Sequence, residues 1–316
     1  MTRTYGIPNK SPMKQQMLPR LVWLDALKGI GIIAVVVGHI LRIRYVYAFH
    51  MPLFFLVSGY TFHPREDNFQ YIKTCFLRLI VPYLSFLIVI NVLTLLIDGS
   101  RISLTAFVCG GTHLKGIFAA YWFITVLFGS LILLNFIVKQ KAIRLRWCFG
   151  ISMTIAYLLE YLKVNLFWDI QVIPMALCFM MVGYYYKQTN FTPPTFLSIL
   201  LFIISITIPF FYDHIVIDMK YTNYGIPLLA FINALLIIYG IVMITKRYDA
   251  FSKVFAWIGE ASLIIMYMHM FIHYIMQRLN VLVNDYLILL TCVSLPIVLF
   301  YIIQKTQILR LLFIGK

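Results

Sequence analysis

Residues 24–40 read LDALKGIGIIAVVVGHI, and three of them can do chemistry: Asp25, Lys28 and His39. A carboxylate and an ammonium can pair, and an imidazole can take a proton or attack a carbonyl carbon. On an α-helix Asp25 and Lys28 lie one turn apart and face each other. Lys28 and His39 are 11 residues apart, about three turns plus roughly 20°, so the three groups share one stripe with Ile32 and Val35 between them. The same geometry puts Lys28 roughly 16 Å and Asp25 roughly 21 Å from His39, too far for a direct dyad. Only an elongated molecule lying along the stripe would touch both ends. Gly29, Gly31 and Gly38 leave room there for a neighbouring helix or a thin ligand.

An ion inside a lipid-spanning helix costs about 2.5–3.5 kcal/mol on the insertion scale, so the stripe must face protein or a wet cavity. Plainer readings stand beside the chemical one. Asp25 and Lys28 can be an interfacial ion pair with Lys28 snorkelling to headgroups. His39 can be a packing histidine bonded to a backbone carbonyl. The next apolar segment, FHMPLFFLVSGYTF at 49–62, adds His50 near one end and Ser58 and Tyr60 deeper along it. Hydroxyls inside a span commonly do no more than bond a neighbouring helix.

The elements that must position these groups follow from composition. Of 316 residues 62% are hydrophobic and 12% charged, with mean hydropathy +0.90. A soluble domain of this length could not assemble a polar surface. The long continuous apolar runs suit helices rather than barrel strands. The fold class expected is all-α and polytopic, with about ten transmembrane helices near 21–41, 45–63, 79–97, 120–138, 147–163, 169–186, 195–212, 224–244, 254–276 and 286–304. Prolines 174, 209, 227 and 296 fall inside these spans and are expected to kink them. With the N-terminus inside, eighteen of the 26 Lys and Arg fall on cytoplasmic pieces and seven outside, with Lys28 in a span. That asymmetry predicts both termini in the cytoplasm. It also accounts for the net charge of +15 without a nucleic-acid partner.

Residues 1–20 read as a basic cytoplasmic tail and 21–310 as one integral-membrane domain. The apolar run after the tail is too long for a signal h-region and should stay as an anchor. Outside, 98–119 contains GGTHLKG and could hold a re-entrant or interfacial element, and 212–223 contains Asp213, His214 and Asp218. Cys75, Cys109, Cys148, Cys178 and Cys292 are scattered singly. They predict neither a structural disulfide nor a protein-held metal. No repeat or inverted-half pattern of the transporter kind is visible.

The stretches from Asp25 to His39 and from Phe49 to Tyr60, followed by Lys73, Arg78, Pro82 and Tyr83, resemble the integral-membrane acyltransferase family three. The resemblance is closest to its branch of fucose 4-O-acetylases and related acetyltransferases. YWFI at 121–124 and SLIIMYMH at 262–269 also look like family features. The resemblance implies transfer of an acyl group, commonly acetyl from acetyl-CoA, across a cell membrane, a bacterial inner membrane being expected. The acceptor would be a sugar hydroxyl of an extracytoplasmic or lipid-linked glycan. Many members carry an arginine 11 residues before the key histidine. Lys28 stands there in this chain, keeping the cation but losing the planar two-pronged donor.

On that resemblance acetyl-CoA is a co-substrate and no cofactor is permanently bound. Lys28, Lys73 and Arg78, joined by Arg144 and Arg146, would hold the donor. His39 would serve as general base on the acceptor hydroxyl or as an acyl-carrying nucleophile, two roles that stay open. Asp25 would pair Lys28 or line the donor entrance. Ser58 and Tyr60 are candidates for bonds to the thioester or its oxyanion. His50, Tyr121, Trp122 and His269 are candidates for the acceptor side. A proton-coupled transporter or glycan exporter using Asp25, Lys28 and His39 as a relay is the alternative, and a membrane protein without chemistry is a third reading. A homo-oligomer is also left open.

Overall fold

The computed structural model describes residues 21–139, 142–189, 193–279 and 284–316. The basic stretch 1–20 and Lys141 therefore lie outside the described residues. Fourteen α-helices and no β-strand are found among those described. They are α1 (Val22–Ile40), α2 (His50–Thr61), α3 (Asn68–Cys75), α4 (Val81–Asp98), α5 (Leu104–Cys109), α6 (Trp122–Ile137), α7 (Ala142–Tyr161), α8 (Ile173–Thr189), α9 (Thr195–Phe211), α10 (Leu229–Arg247), α11 (Asp249–Glu260), α12 (Ser262–Arg278), α13 (Asp285–Ile303) and α14 (Gln307–Ile314). Six helical stretches are long and apolar enough to cross a membrane, or seven if the bent pair α11–α12 is one span.

Several expected spans are interrupted. The 45–63 segment is a 3-10 turn, Arg44–Ala48, followed by α2, which has only 12 residues. The 254–276 segment is α11 and α12, bent by 65° at Ala261. Hydropathy averages over a window and does not register such local breaks. Between α3 and α4 the ladder opens into a π-turn, Phe76–Ile80. Pro82 follows after Val81; it lacks an N–H and its ring crowds the carbonyl of Arg78, which favours the looser register. Of the four prolines expected to kink spans, Pro209 and Pro296 lie inside helices. Pro174 falls in the first turn of α8 and Pro227 before α10, where a missing N–H costs no helical bond.

α1 and α2 form the hub. α1 packs on α11, α12, α13 and α10, and α2 packs on α8. Lipid-like surroundings give helices little hydrophobic reason to associate, so close backbone approach must supply the attraction. Here it does. A Cβ on Gly29 would stand 2.0 Å from the Phe255 carbonyl oxygen, and one on Gly259 1.9 Å from that of Asp25. Gly59 and Gly183 interlock α2 and α8 in the same reciprocal way. Large apolar side chains such as Leu96, Phe196 and Leu290 project outward, as a lipid-solvated surface requires.

Candidate active site

α1 turns Lys28, Ile32, Val35 and His39 into one cavity of about 380 Å³. α2 adds His50, Met51, Phe54 and Ser58, α6 adds Trp122, and α12 adds Ser262. A loop, residues 218–221, closes it with Asp218 and Lys220. Two further cavities adjoin. One of about 940 Å³, lined by Arg65, Gln70, Tyr71 and Arg78, shares Ser58 with the central cavity. The other, of about 310 Å³, is lined by Arg42 and Arg44 and shares His39, Tyr47 and Asp218 with it. The three lie in series, and His39 stands where the second meets the third.

The imidazoles differ in their engagement. His50 and His269 each hold a backbone carbonyl through Nδ1, that of Val46 at 2.8 Å and that of Ile265 at 2.9 Å. A carbonyl only accepts, so Nδ1 carries the proton in both rings and Nε2 is left as the acceptor. The Nε2 of His269 is buried without a partner. Its ring lies 5.4 Å from that of His39, centroid to centroid. His39 itself makes no hydrogen bond among the described residues. Its ring neighbours those of His269 and Tyr47, and the ring lines the cavity wall with neither nitrogen committed to a protein partner there.

Lys28 pairs with Asp25 at 2.6 Å, and the cavity is lined by the lysine rather than the aspartate. Ser58 Oγ donates to the Phe54 carbonyl at 2.8 Å. Its proton is committed, and what it has left to offer a ligand is acceptor capacity. Tyr60 lies outside the cavity, edge-on to Trp23 at 5.1 Å. Tyr121 is fully buried away from it, in a column with Tyr83 and Tyr267. Its neighbour Trp122 faces the cavity, since adjacent residues at a helix start diverge by about 100°. His269 sits behind His39 instead of lining the wall. Arg78 lines the large cavity, while the exposed Lys73, Arg144 and Arg146 line none of the three.

Sequence reasoning missed Tyr47, Lys220 and Asn135. Lys220 is 8% exposed, and its Nζ donates to the carbonyls of Leu114, 3.1 Å, and Ala119, 2.9 Å. It thus ties the 212–228 loop to the 110–121 segment over the cavity. Burial pulls its ammonium down to about 8, against the pull of Asp169 and Asp218, which favours the charge. Burial likewise raises Asp218, with Lys220 and neighbouring backbone N–H groups opposing the shift. Asn135, on α6, accepts from the Arg65 backbone N–H at 2.8 Å and donates to the Arg65 carbonyl at 3.1 Å. That reciprocal pair pins the 62–67 turn that frames the large cavity. An amide in an apolar span was the available signal for Asn135. Nothing marked Lys220, which reads as one more loop cation.

Polar side chains thus line adjoining cavities on either side of His39 within a bundle of apolar helices. The family described as acyltransferase domain matches residues 21–303; the chain belongs to that family, acyltransferase family three, and is a membrane acyltransferase. No curated protein and no solved structure matches it.

Proposed function

We propose that the chain is an O-acyltransferase that takes an acyl group, acetyl first among candidates, from cytoplasmic acyl-CoA and delivers it to a sugar hydroxyl of an extracytoplasmic or lipid-linked glycan. The observation that carries this reading is the series of three cavities with His39 at the second junction. The donor's nucleotide would rest at the large cavity beside Arg65 and Arg78. Its thin pantetheine arm would pass Ser58 towards His39, with Lys28 as the cation along the way. In the general-base form of the step, His39 takes the proton of the acceptor hydroxyl as its oxygen attacks the thioester carbon. The C–S bond then breaks, and the histidine returns the proton to the thiolate. On this reading His269, its ring 5.4 Å from that of His39, acts as a positioning residue and does not touch the reacting atoms.

On this reading α2 (12 residues), α7 (20 residues) and α9 (17 residues) cross as further passes beside the seven candidate spans, giving ten. Both termini are then cytoplasmic, in agreement with the Lys and Arg asymmetry, and a bacterial inner membrane fits. The test is thiol release from acetyl-CoA by purified protein, with a glycan acceptor present. His39→Ala, accumulating as a folded protein, is expected to lower release by about 10²–10⁴-fold. Undiminished release would refute the assignment. A transporter would release no thiol at all.

A further inference from the structure

The cavity end remote from Arg65 and Arg78 holds an exposed cation, Arg42, with no carboxylate partner among the described residues. Arg42 and Arg44 follow α1 directly, and both line the cavity that His39 also lines. Arg44 is answered by Asp213 at 3.4 Å. Asp218, the carboxylate lining this cavity, is capped by backbone N–H groups of Lys220 and Tyr221 and lies close to the Lys220 ammonium. Arg42 makes no hydrogen bond or ion pair among the described residues.

The backbone of Arg42 makes its side chain more telling. Its φ is 55°, just past the C-cap of α1. That is the left-handed position where helices most comfortably end on glycine, because any Cβ is strained there. The chain instead places a guanidinium at that position, three residues after His39. Its planar fork of donors fits a carboxylate or a phosphate, and a neutral sugar has no group that uses it as well.

We propose that the acceptor received at this mouth is anionic: a sugar bearing a carboxylate or phosphate, held by Arg42 while its hydroxyl meets His39. This rests on the reading that the Arg42 end is the acceptor side. The test is binding by the purified full chain in nanodiscs of zwitterionic lipid, without acetyl-CoA. Matched probes are glucuronate against glucose, and glucose 1-phosphate against glucose, so the two arms separate carboxylate from phosphate.

An anionic member is expected to bind at least about fivefold tighter at low salt, and the preference to shrink as salt rises. Arg42→Gln should erase the difference. Arg42→Gly should erase it too while unfolding at an equal or higher temperature, since glycine relieves the strained backbone. Equal binding of charged and neutral sugars, or no binding of either anionic probe, would overturn the proposal. So would an Arg42→Gln variant whose only defect is weaker acetyl-CoA binding. Because no turnover is involved, a charge preference without thiol release would fault the acyl-transfer reading alone.

Discussion

Lys28 and Lys220 line the same cavity from two halves of the molecule and are held there by different means. Lys28 belongs to a wall. Its helix is locked against α11 by the reciprocal glycine contact of Gly29 and Gly259, and Asp25 on the same helix supplies its partner. Its side chain remains 34% exposed. Lys220 belongs to a loop and is nearly buried. Among the described residues it answers to no carboxylate at bonding distance; its partners are carbonyls 106 and 101 positions away. The first lysine is positioned by its surroundings, while the second positions its surroundings. One residue type therefore faces the cavity from a helix wall in one half and ties two loops together in the other.

Breaking the wall should have the largest effect. Gly259→Ala puts a Cβ 1.9 Å from the Asp25 carbonyl oxygen, and backbone cannot swing aside as a side chain can. Destabilisation of about 3 kcal/mol or more is expected, at the upper end of overpacking costs. It would appear as a lower unfolding temperature in detergent and a poor yield of folded protein.

Breaking the strut comes next. Lys220→Met leaves two carbonyls without their donor at a buried site, a loss of about 1–3 kcal/mol. Thiol release should fall with it, because the 212–228 loop then loses its tie over the cavity. Unchanged stability would show that the two loops are held without Lys220.

The pH dependence sharpens the contrast. The Lys220 ammonium titrates near 8 in the fold and at about 10.4 in an unfolded chain. Between those values the unfolded chain binds the extra proton, so this group makes stability rise with pH across that window; below 8 both states are charged and it adds no slope. The rise in unfolding temperature from pH 8 to pH 10 should therefore be smaller in Lys220→Met than in the parent. A rise of equal size in both would remove Lys220 as its source.

The same contrast explains what could be read from the sequence. The stripe on α1 was legible because helical periodicity is local: residues 28, 32, 35 and 39 share a face whatever surrounds them. The membrane class and family were legible from hydropathy and from contiguous motifs. Lys220 was not, because its partners come from another loop and a lone loop lysine looks like surface. The breaks at 44–48 and Ala261 were hidden for the opposite reason, since averaging over about 20 residues conceals a single turn of altered backbone. Tyr121 and Trp122 show the finer limit. They are adjacent in sequence, yet one joins an aromatic column and the other the cavity wall.

The smallest expected effect is the one that tests the comparison most directly, because a single substitution is made in both halves. Lys28→Arg keeps a cation within reach of Asp25 in a partly open position, where added length can extend into the cavity. Stability should stay within about 0.5 kcal/mol of the parent, and thiol release within a few-fold. Lys220→Arg forces a longer, planar head into a closed site shaped around a compact ammonium, and about 1–3 kcal/mol of stability should be lost. If the two variants exchanged these outcomes, with Lys28→Arg unfolding early and Lys220→Arg unchanged, the division between a positioned lysine and a positioning one would be reversed.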